Sequence, residues 1–347
     1  MSKKKVLVGM SGGVDSSACA AILLDKGYDV YGVTMRLKPC KYEEDYSDEK
    51  DAKKVCDVLG IKHFVFDFQE EFKKYVMDYF VNEYINAKTP NPCIACNKHL
   101  KFGLMIEKAK ELGMDYIATG HYAKIIENNG EYELRMGDSQ EKDQSYVLYN
   151  LTQEQLKFTL MPLGDYKKEE VRKICEEKGL PVAHKSESME ICFVENDDYK
   201  SFIKEYSGYT GVPGEIVDTF GNVLGTHQGL VNYTVGQRKG IGAYGRPMFV
   251  LKLDSENNRL ILGEKGMEFS DSATAYDVNF LSGIIPKNEF MADVKARYQA
   301  KPSKAKITPI GENRVSVKFD TPQRALTPGQ AIVFYDGDKV LGGGTIE

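Results

Sequence analysis

The sequence predicts an α/β fold in which an N-terminal doubly wound parallel sheet precedes a β-rich second half. Apolar β-branched runs alternate with helix-compatible stretches as far as residue 120 or so, which is typical of a parallel sheet covered on both faces. The first apolar run ends in a glycine-rich turn that opens a helix. From about Gly208, short strands with frequent Gly and Pro replace the helices, and a break near Asp271 divides this half.

Each element of the first half has a local signal. The hairpin between residues 125 and 135 is predicted by Asn128-Asn129-Gly130 at its centre. Helix signals stop at glycines such as Gly60 and Gly113, as helices commonly do. Strands are predicted at 6–8, 29–37, 63–68 and 115–119, and helices at 18–25, 48–59, 72–87, 101–112, 167–178 and 197–206.

Length and composition limit the classes of protein. A chain of 347 residues is long for one domain, and we predict domains at 1–207, 208–270 and 271–347. No apolar run approaches ~20 residues, so we expect no membrane span. The basic N-terminus leads into a strand instead of an apolar signal segment, which predicts a cytoplasmic protein. Seven cysteines then indicate thiol, metal or redox chemistry instead of a disulfide framework.

The first turn of the chain is the strongest functional signal. Its glycines let backbone N–H groups converge on an anion, and the helix N-terminus adds a partial positive charge. No G-x-x-x-x-G-K-[ST] pattern is present, so this is not a Walker loop and no lysine of the loop reaches a γ-phosphate. The carboxylate of Asp15 suits a Mg²⁺ ion that bridges phosphates. The predicted phosphate loop comprises Gly9, Met10, Ser11, Gly12, Gly13, Val14, Asp15 and Ser16.

The cysteines divide into two groups. Cys93 and Cys96 form a C-x-x-C before a helix predicted to begin near Lys98, and Cys192 lies beside apolar residues. Because a thiol at a helix N-terminus has a lowered pKa, we expect these thiols to be reactive. A zinc site usually needs two such pairs, and the usual fold context of a thioredoxin motif is missing. Cys19, Cys56 and Cys175 are interpreted as small buried residues, and Cys40 is left open.

The chain resembles the tRNA-specific 2-thiouridylases, a family of the PP-loop ATP pyrophosphatase superfamily with an adenine nucleotide alpha hydrolase-like fold. The resemblance extends over the whole chain and implies a central β-rich domain and a C-terminal β-barrel. Its motifs are the phosphate loop, Asn91-Pro92-x-x-x-Cys96-Asn97 with Lys101-Phe102, Thr119-Gly120-His121-Tyr122, Lys142-Asp143-Gln144-Ser145-Tyr146, Ile191-Cys192-Phe193, the run from Pro213-Gly214 to Tyr233-Thr234-Val235-Gly236-Gln237-Arg238-Lys239-Gly240, Arg297-Tyr298 and Thr327-Pro328-Gly329-Gln330.

This resemblance implies ATP-dependent 2-thiolation of the wobble uridine, U34, of tRNA. Cys96 would be the nucleophile, and Cys192 would carry the incoming sulfur as a persulfide supplied by a sulfur-donor protein, either a persulfide relay protein or a cysteine desulfurase. The phosphate loop with Met35 and Gly120 would hold ATP and Mg²⁺. The implied tRNA contacts are Asn91, Pro92, Cys93, His121, Lys142, Asp143, Gln144, Arg297, Tyr298 and Gln330.

One departure from the family leaves a second mechanism open. Many members have Asp where this chain has Cys93. A related group of PP-loop tRNA thiolases holds a [4Fe–4S] cluster with a C-x-x-C and one later cysteine, and Cys93, Cys96 and Cys192 match that number of thiols. Overall similarity favours the persulfide route. More distant alternatives are a PP-loop ATP-dependent amide ligase, which needs no paired thiols, and a non-catalytic RNA-binding module with a structural metal.

The net charge of −5 means that nucleic-acid binding requires a local basic patch. One candidate is the stretch with Lys295, Arg297, Lys301, Lys304 and Lys306, which includes Tyr298. By itself, such a stretch is also typical of a solvated strand face. We therefore expect the β-rich C-terminal half to bind tRNA, with this stretch at the interface.

Overall fold

The computed structural model describes residues 2–38, 46–186 and 191–347 of the chain. Two features of the sequence lie outside these residues. Cys40 is one of them. The other is most of the segment from Ser186 to Glu190, whose Ser- and charge-rich composition permits the loop movement that would bring Cys96 and Cys192 together.

A parallel five-stranded sheet forms the centre of the N-terminal unit, and the doubly wound prediction is confirmed. Val6, Leu7 and Val8 of its central strand are fully buried because helices cover both faces. The strands are β1 (Lys5–Gly9), β2 (Asp29–Arg36), β3 (Lys62–Asp67), β4 (Tyr116–Ala118) and β7 (Thr159–Leu160). Their order is β3-β2-β1-β4-β7, so the chain reverses direction across the sheet between β1 and β4, where ligands bind in such folds.

Helices pack on both faces of this sheet, and two of them continue through π-helical segments at Lys73–Met77 and Asn97–Leu104. Their bounds are α1 (Val14–Asp25), α2 (Ser47–Leu59), α3 (Gln69–Phe72), α4 (Asp78–Ile85), α5 (Pro92–Cys96), α6 (Met105–Glu111), α7 (Gln153–Lys157), α8 (Lys168–Glu177) and α9 (Tyr199–Ser207).

The helix that carries the C-x-x-C begins earlier than its predicted start near Lys98. It starts at Pro92, so Cys93 lies in its first turn and Cys96 is its last residue. The Asn91 side chain caps it by accepting hydrogen bonds from the backbone N–H of Cys93 (3.1 Å) and Ile94 (3.4 Å). Pro92 has a φ angle that suits the first helical position. Because Asn-Pro is a helix start signal, the sequence contained the information that the prediction missed.

The β-rich second half forms two separate sheets. The central one has four strands in the order β10-β11-β8-β9. Its strands are β8 (Gly214–Val217), β9 (Val223–His227), β10 (Met248–Asp254) and β11 (Arg259–Glu264).

The C-terminal strands close into a six-stranded barrel, because the order β12-β15-β14-β13-β16-β17 is completed by pairing between β12 and β17. The implied C-terminal barrel is therefore confirmed. The strands are β12 (Phe269–Phe280), β13 (Phe290–Lys295), β14 (Ser303–Gly311), β15 (Arg314–Arg324), β16 (Ala331–Asp336) and β17 (Lys339–Ile346).

A hairpin of the N-terminal unit joins the barrel to the parallel sheet. It comprises β5 (Ala123–Asn128) and β6 (Glu131–Met136), which cover the predicted hairpin, and β6 pairs with β17 through Arg135 and Lys339. The buried carboxylate of Glu133 binds both of these side chains, at 2.6 Å from Arg135 and 2.8 Å from Lys339. The barrel therefore lies against the unit that contains the phosphate loop and the C-x-x-C.

None of the helices in the described ranges is long and apolar enough to cross a membrane.

Candidate active site

The phosphate loop connects the buried strand β1 to helix α1. Gly13 caps α1 without a side-chain hydrogen bond, so the first N–H groups of the helix are not capped by a side chain. Gly12 has a φ of +66°, and a Cβ atom there would lie 2.4 Å from the Asp48 carbonyl oxygen. A larger residue at Gly12 would therefore displace either the loop or the start of α2.

Serine hydroxyls fix the turn from within. The Ser16 Oγ accepts a hydrogen bond from the Ser11 backbone N–H at 3.1 Å and lies 3.2 Å from the Ser11 Oγ. The Ser17 hydroxyl donates to the Gly13 carbonyl at 2.8 Å. Gly9 ends β1, while Met10, Val14 and Ser16 are buried. The loop is therefore already ordered in the shape that the sequence predicts for anion binding.

Asp15 has two partners that the sequence analysis does not identify. Its Oδ1 accepts a hydrogen bond from the Tyr122 hydroxyl at 2.7 Å and lies 2.7 Å from the Lys168 ammonium. Lys168 is only 8% exposed and starts α8. A lysine thus reaches the loop from 153 residues further along the chain, a distance over which no local pattern could indicate it.

Gly120 and Met35 lie where strands end beside the loop. A Cβ atom on Gly120 would lie 2.8 Å from the Asp15 carbonyl carbon and 2.9 Å from the Ser16 nitrogen. The turn after β4 therefore rests directly on the backbone of the phosphate loop. Met35, at the end of β2, packs against the hydrophobic clusters on both sides of this region.

His121 follows this turn and is buried. Burial lowers the pKa of its imidazole well below the usual value, with a further contribution from Lys101, so the ring is neutral at pH 7. Its Nδ1 lies 2.8 Å from the Thr119 hydroxyl, and its ring packs against Phe102. Direct contact with RNA would require this packing to open.

The segment from Lys142 to Gln144 supports the same turn. The Gln144 side chain accepts a hydrogen bond from the Tyr122 N–H at 3.0 Å. Asp143 is buried, and its carboxylate accepts hydrogen bonds from the N–H of Gly137 and from both the N–H and the hydroxyl of Ser145. Burial raises the pKa of this carboxyl group. Lys142 is half-buried on the same turn.

The pKa expected for Cys96 is wrong in direction. Cys96 is 8% exposed, and burial raises the pKa of its thiol to about 11, although Lys101 opposes this shift. Cys192 is exposed as a residue, but the atoms around its thiol partly desolvate it and raise its pKa, and Lys38 and Lys101 oppose this shift. Desolvation therefore outweighs the helix N-terminus. The resting thiols are neutral, and Lys101 is the positive charge that acts on both of them.

The three predicted functional cysteines lie within electrostatic reach of one another. Both Cys93 and Cys192 contribute to the raised pKa of Cys96. Cys93 and Cys192 are exposed, whereas Cys96 lies beneath the surface. Across the described ranges, no three Cys, His, Asp or Glu side chains are arranged to hold a metal ion together.

The segment with Cys192 is held by its neighbours. The Phe193 ring is buried in an aromatic cluster, with centroids 5.6 Å from Phe72, 5.2 Å from Phe80 and 5.1 Å from Phe202. The Lys38 ammonium also donates to the Cys192 carbonyl at 2.8 Å. These contacts hold Cys192 against the helices that surround Cys96.

Two predicted tRNA contacts of the barrel bind protein instead of facing outward. The Arg297 guanidinium donates to the carbonyls of Val235 (3.3 Å) and Ala325 (2.7 Å) and to the Thr327 hydroxyl (2.6 Å). It therefore joins the central domain to the barrel. The Gln330 amide donates to the Thr89 carbonyl at 2.8 Å, just before the cap of α5.

Of the three exposed lysines in the basic stretch, Lys304 and Lys306 are paired with acids, whereas Lys301 has no ion pair among the described residues. Lys304 lies 3.0 Å from Asp293, and Lys306 lies 3.2 Å from Glu289. Tyr298 is 37% exposed and is the predicted aromatic contact that remains open to solvent. The stretch is thus less positive at its surface than its sequence indicates.

The strand order, the glycine loop after β1 and the lack of a Walker lysine in that loop define a PP-loop fold of the adenine nucleotide alpha hydrolase type. Family models match the chain in three parts: a tRNA methyl transferase HUP domain at 4–196, a tRNA methyl transferase PRC-barrel domain at 200–264 and an aminomethyltransferase beta-barrel domain at 270–346.

Curated relatives match over the full length. The chain is 52% identical to the tRNA-specific 2-thiouridylase MnmA of Acetivibrio thermocellus, covering 100% of both chains. It is 50% identical to the MnmA protein of Carboxydothermus hydrogenoformans, covering 99% of this chain and 98% of that relative. The chain belongs to the tRNA-specific 2-thiouridylase family. A solved 4-thiouridine synthetase–RNA complex with bound ATP is 17% identical, covers 53% of this chain and 43% of that chain, and has a TM-score of 0.36, which is too low to support an inference.

Proposed function

We propose that this chain is an ATP-dependent tRNA-uridine 2-sulfurtransferase that acts on the wobble uridine. The observation that carries the proposal is the pair Cys96 and Cys192, two thiols near each other and near Lys101, in the fold that bears the phosphate loop. An amide ligase of the same fold would need no such pair. The full-length relatives, all named as tRNA-specific 2-thiouridylases, support the same substrate.

The first step activates the uridine. The loop N–H groups and the α1 N-terminus hold the phosphates of ATP, and Asp15 provides a carboxylate oxygen of the kind that Mg²⁺ prefers. The uridine C2 oxygen attacks the α-phosphorus, pyrophosphate leaves, and an adenylated uridine is formed. Lys168 lies 2.7 Å from Asp15, and it therefore adds a positive charge where phosphate charge accumulates.

The second step delivers sulfur. Cys192 carries a persulfide, Cys192–S–SH, loaded by a sulfur-donor protein. The Cys96 thiolate attacks the Cys192 Sγ, forms a Cys96–Cys192 disulfide and expels hydrosulfide. Hydrosulfide attacks C2 of the adenylated uridine, AMP leaves, and a proton is released. A thiol reductant then supplies two electrons to restore both cysteines.

The cluster alternative makes a greater demand on the cysteines. It requires Cys93, Cys96 and Cys192 all to act as thiolate ligands of one cluster, whereas the persulfide route needs only Cys96 and Cys192. The names of two family models mention methyl transfer. That activity would not explain why a pair of thiols lies in the same unit as a phosphate loop.

The test is reconstitution with a tRNA transcript, Mg-ATP and a persulfide donor, with nucleosides analysed by mass spectrometry. We expect 2-thiouridine at position 34, and none in a transcript with cytidine at that position. Cys96→Ser and Cys192→Ser should each abolish the product while pyrophosphate release continues. The buried Cys56→Ala variant controls for the loss of a thiol. Product formation by either serine variant would refute the persulfide route.

A further inference from the structure

Lys295 differs from the other buried charged residues of the site. It is 8% exposed, as is Lys168, but Lys168 has the Asp15 carboxylate as a partner. Among the described residues, the ammonium of Lys295 makes no hydrogen bond or ion pair, and its close contacts are two aromatic rings. Buried charges are normally paired, so an unpaired buried ammonium indicates that an anion is missing from its surroundings.

The two rings lie on one side of Lys295. Its Nζ lies 5.8 Å from the Tyr146 ring centre and 5.9 Å from that of Tyr298, and the two centres are 5.8 Å apart. Tyr146 is fully buried, and its hydroxyl donates to the Ala331 carbonyl at 2.7 Å. Tyr298 is 37% exposed. Cation–π contact compensates the buried charge only in part, and Tyr298 is the member of the pair that a ligand can contact.

The negative charge that acts on Lys295 is already bound elsewhere. Asp143 influences the Lys295 ammonium through space, but its carboxylate accepts three hydrogen bonds from Gly137 and Ser145. Desolvation lowers the pKa of Lys295, the shift expected for a buried ammonium without a close counter-charge.

The enclosed lysine lies beside the helix with the cysteines. Tyr146 belongs to a 3-10 turn, Ser145–Leu148, that packs against α5, and Asn97 donates to the Val147 carbonyl of this turn at 3.0 Å. On the other side, Cys93 is near enough to Tyr298 to contribute to the raised pKa of its hydroxyl. The exposed side of Tyr298 and the exposed Cys93 thiol therefore lie near each other.

We propose that Lys295 and Tyr298 form a nucleotide platform beside Cys93, in which the Lys295 ammonium binds a phosphate of single-stranded RNA and the Tyr298 ring stacks on the adjoining base. The identity of the RNA rests on the proposed function. Bases displayed outside a helix are recognised by stacking on aromatic rings, and lysine supplies the charge for the backbone. Lys295 is then a phosphate contact of this stretch, whereas the Arg297 guanidinium already donates to protein groups.

The test compares Lys295→Met with Lys318→Met in tRNA binding measured over a series of salt concentrations. Lys318 is an exposed barrel lysine paired with Asp271 and serves as the matched control. We expect Lys295→Met to weaken binding at low salt by about tenfold and to reduce the slope of log K against log salt by about 0.7, the value for one phosphate of a single strand. Its thermal stability should be unchanged or higher, because an unpaired buried charge is removed.

Companion variants separate the two parts of the platform. Lys295→Arg should retain most of the slope, Tyr298→Phe should bind tRNA as the wild type does, and Tyr298→Leu should bind more weakly with an unchanged slope. An unchanged affinity and slope in Lys295→Met would overturn the proposal. Weaker binding with an unchanged slope would also overturn it, because the lysine would then bind no phosphate.

The proposed thiolation activity and the Lys295–Tyr298 platform can fail independently of each other. If the wild type makes no 2-thiouridine but Lys295→Met loses affinity and slope, the platform stands and the reaction assignment falls. If the wild type thiolates tRNA but Lys295→Met binds normally, only the platform falls.

Discussion

The phosphate loop and the cysteine crevice are built in opposite ways. The loop consists of consecutive residues between β1 and α1, and its turn is fixed by its own serines and glycines. The crevice, meaning the region around Cys93, Cys96 and Cys192, is assembled from the short helix α5, the anchored segment with Cys192 and side chains of the barrel. The chemistry of the phosphate loop follows mostly from its own consecutive residues. The chemistry of the cysteine crevice depends on burial and on charged residues that are distant in sequence.

This difference is clearest in the charges. In the loop, the local residues predict an anion site, and the distant residues Tyr122 and Lys168 add contacts at Asp15. In the crevice, local rules predict a reactive thiol, yet burial raises the pKa of Cys96 to about 11. The four predictions that follow test whether the loop functions by itself while the crevice depends on its surroundings.

The largest expected effect comes from Asp15→Ala. We expect pyrophosphate release to fall about 10²- to 10³-fold because the carboxylate at the phosphates is lost. The variant should also lose about 1–3 kcal/mol of unfolding free energy, because the Asp15 carboxylate loses its ion pair with Lys168 and its hydrogen bond from Tyr122. The control is the double variant Asp15→Ala/Lys168→Met, which should remain inactive. Recovery of activity in the double variant would contradict a direct role for Asp15.

The second prediction concerns Arg297. Because its guanidinium donates to Val235, Ala325 and Thr327, Arg297→Leu should lower the unfolding free energy by about 3 kcal/mol. The exposed Arg314→Leu control should cost less than about 1 kcal/mol. The salt dependence of tRNA binding should not change in either variant. If Arg297→Leu reduced the slope of log K against log salt by about one and kept normal stability, the result would support the prediction that Arg297 contacts a phosphate.

The third prediction uses pH. The Cys96 pKa is raised to about 11, so its thiolate fraction is small near neutrality and grows about tenfold per pH unit below that value. Single-turnover thiolation should therefore rise with pH between about 7 and 9, with a logarithmic slope near one. Lys101→Met should slow the reaction several-fold at each pH, because Lys101 favours both thiolates. Lys98→Met, an exposed lysine on the same helix, should have no such effect. A pH-independent rate would show that Cys96 ionisation does not limit the reaction.

The smallest effect is expected at Cys93. Its thiol is exposed at the start of α5, and Cys93→Asp restores the residue common in the family. We expect Cys93→Asp to keep the thiolation rate within about threefold of the wild-type rate. Such a change corresponds to less free energy than the loss of one hydrogen bond to a charged group. Iron and acid-labile sulfide are measured on the same anaerobic preparations, with Cys93→Ala alongside. Joint loss of iron and activity in Cys93→Ala would favour the cluster route.

The sequence predicts the parallel sheet, the phosphate loop and the hairpin because each depends on neighbouring residues. The helix start at Pro92 was readable from Asn91-Pro92 and was missed. Other features depend on contacts across the chain. The pairing of β6 with β17, the ion pair of Lys168 with Asp15 and the inward turn of Arg297 join residues far apart in sequence. Lys295 is the last residue of β13 and Arg297 lies in the bend after it, and composition carries no information about which of these side chains is buried.

The most direct test of the central claim is to identify the disulfide formed in a single turnover. Enzyme loaded with persulfide is mixed with tRNA and Mg-ATP without reductant, and non-reduced peptides are analysed by mass spectrometry while 2-thiouridine is quantified. We predict a Cys96–Cys192 linkage that accumulates in a one-to-one ratio with 2-thiouridine and does not form without tRNA. Full conversion of the uridine with both cysteines still free, or with Cys93 in the linkage instead of Cys96, would contradict the account.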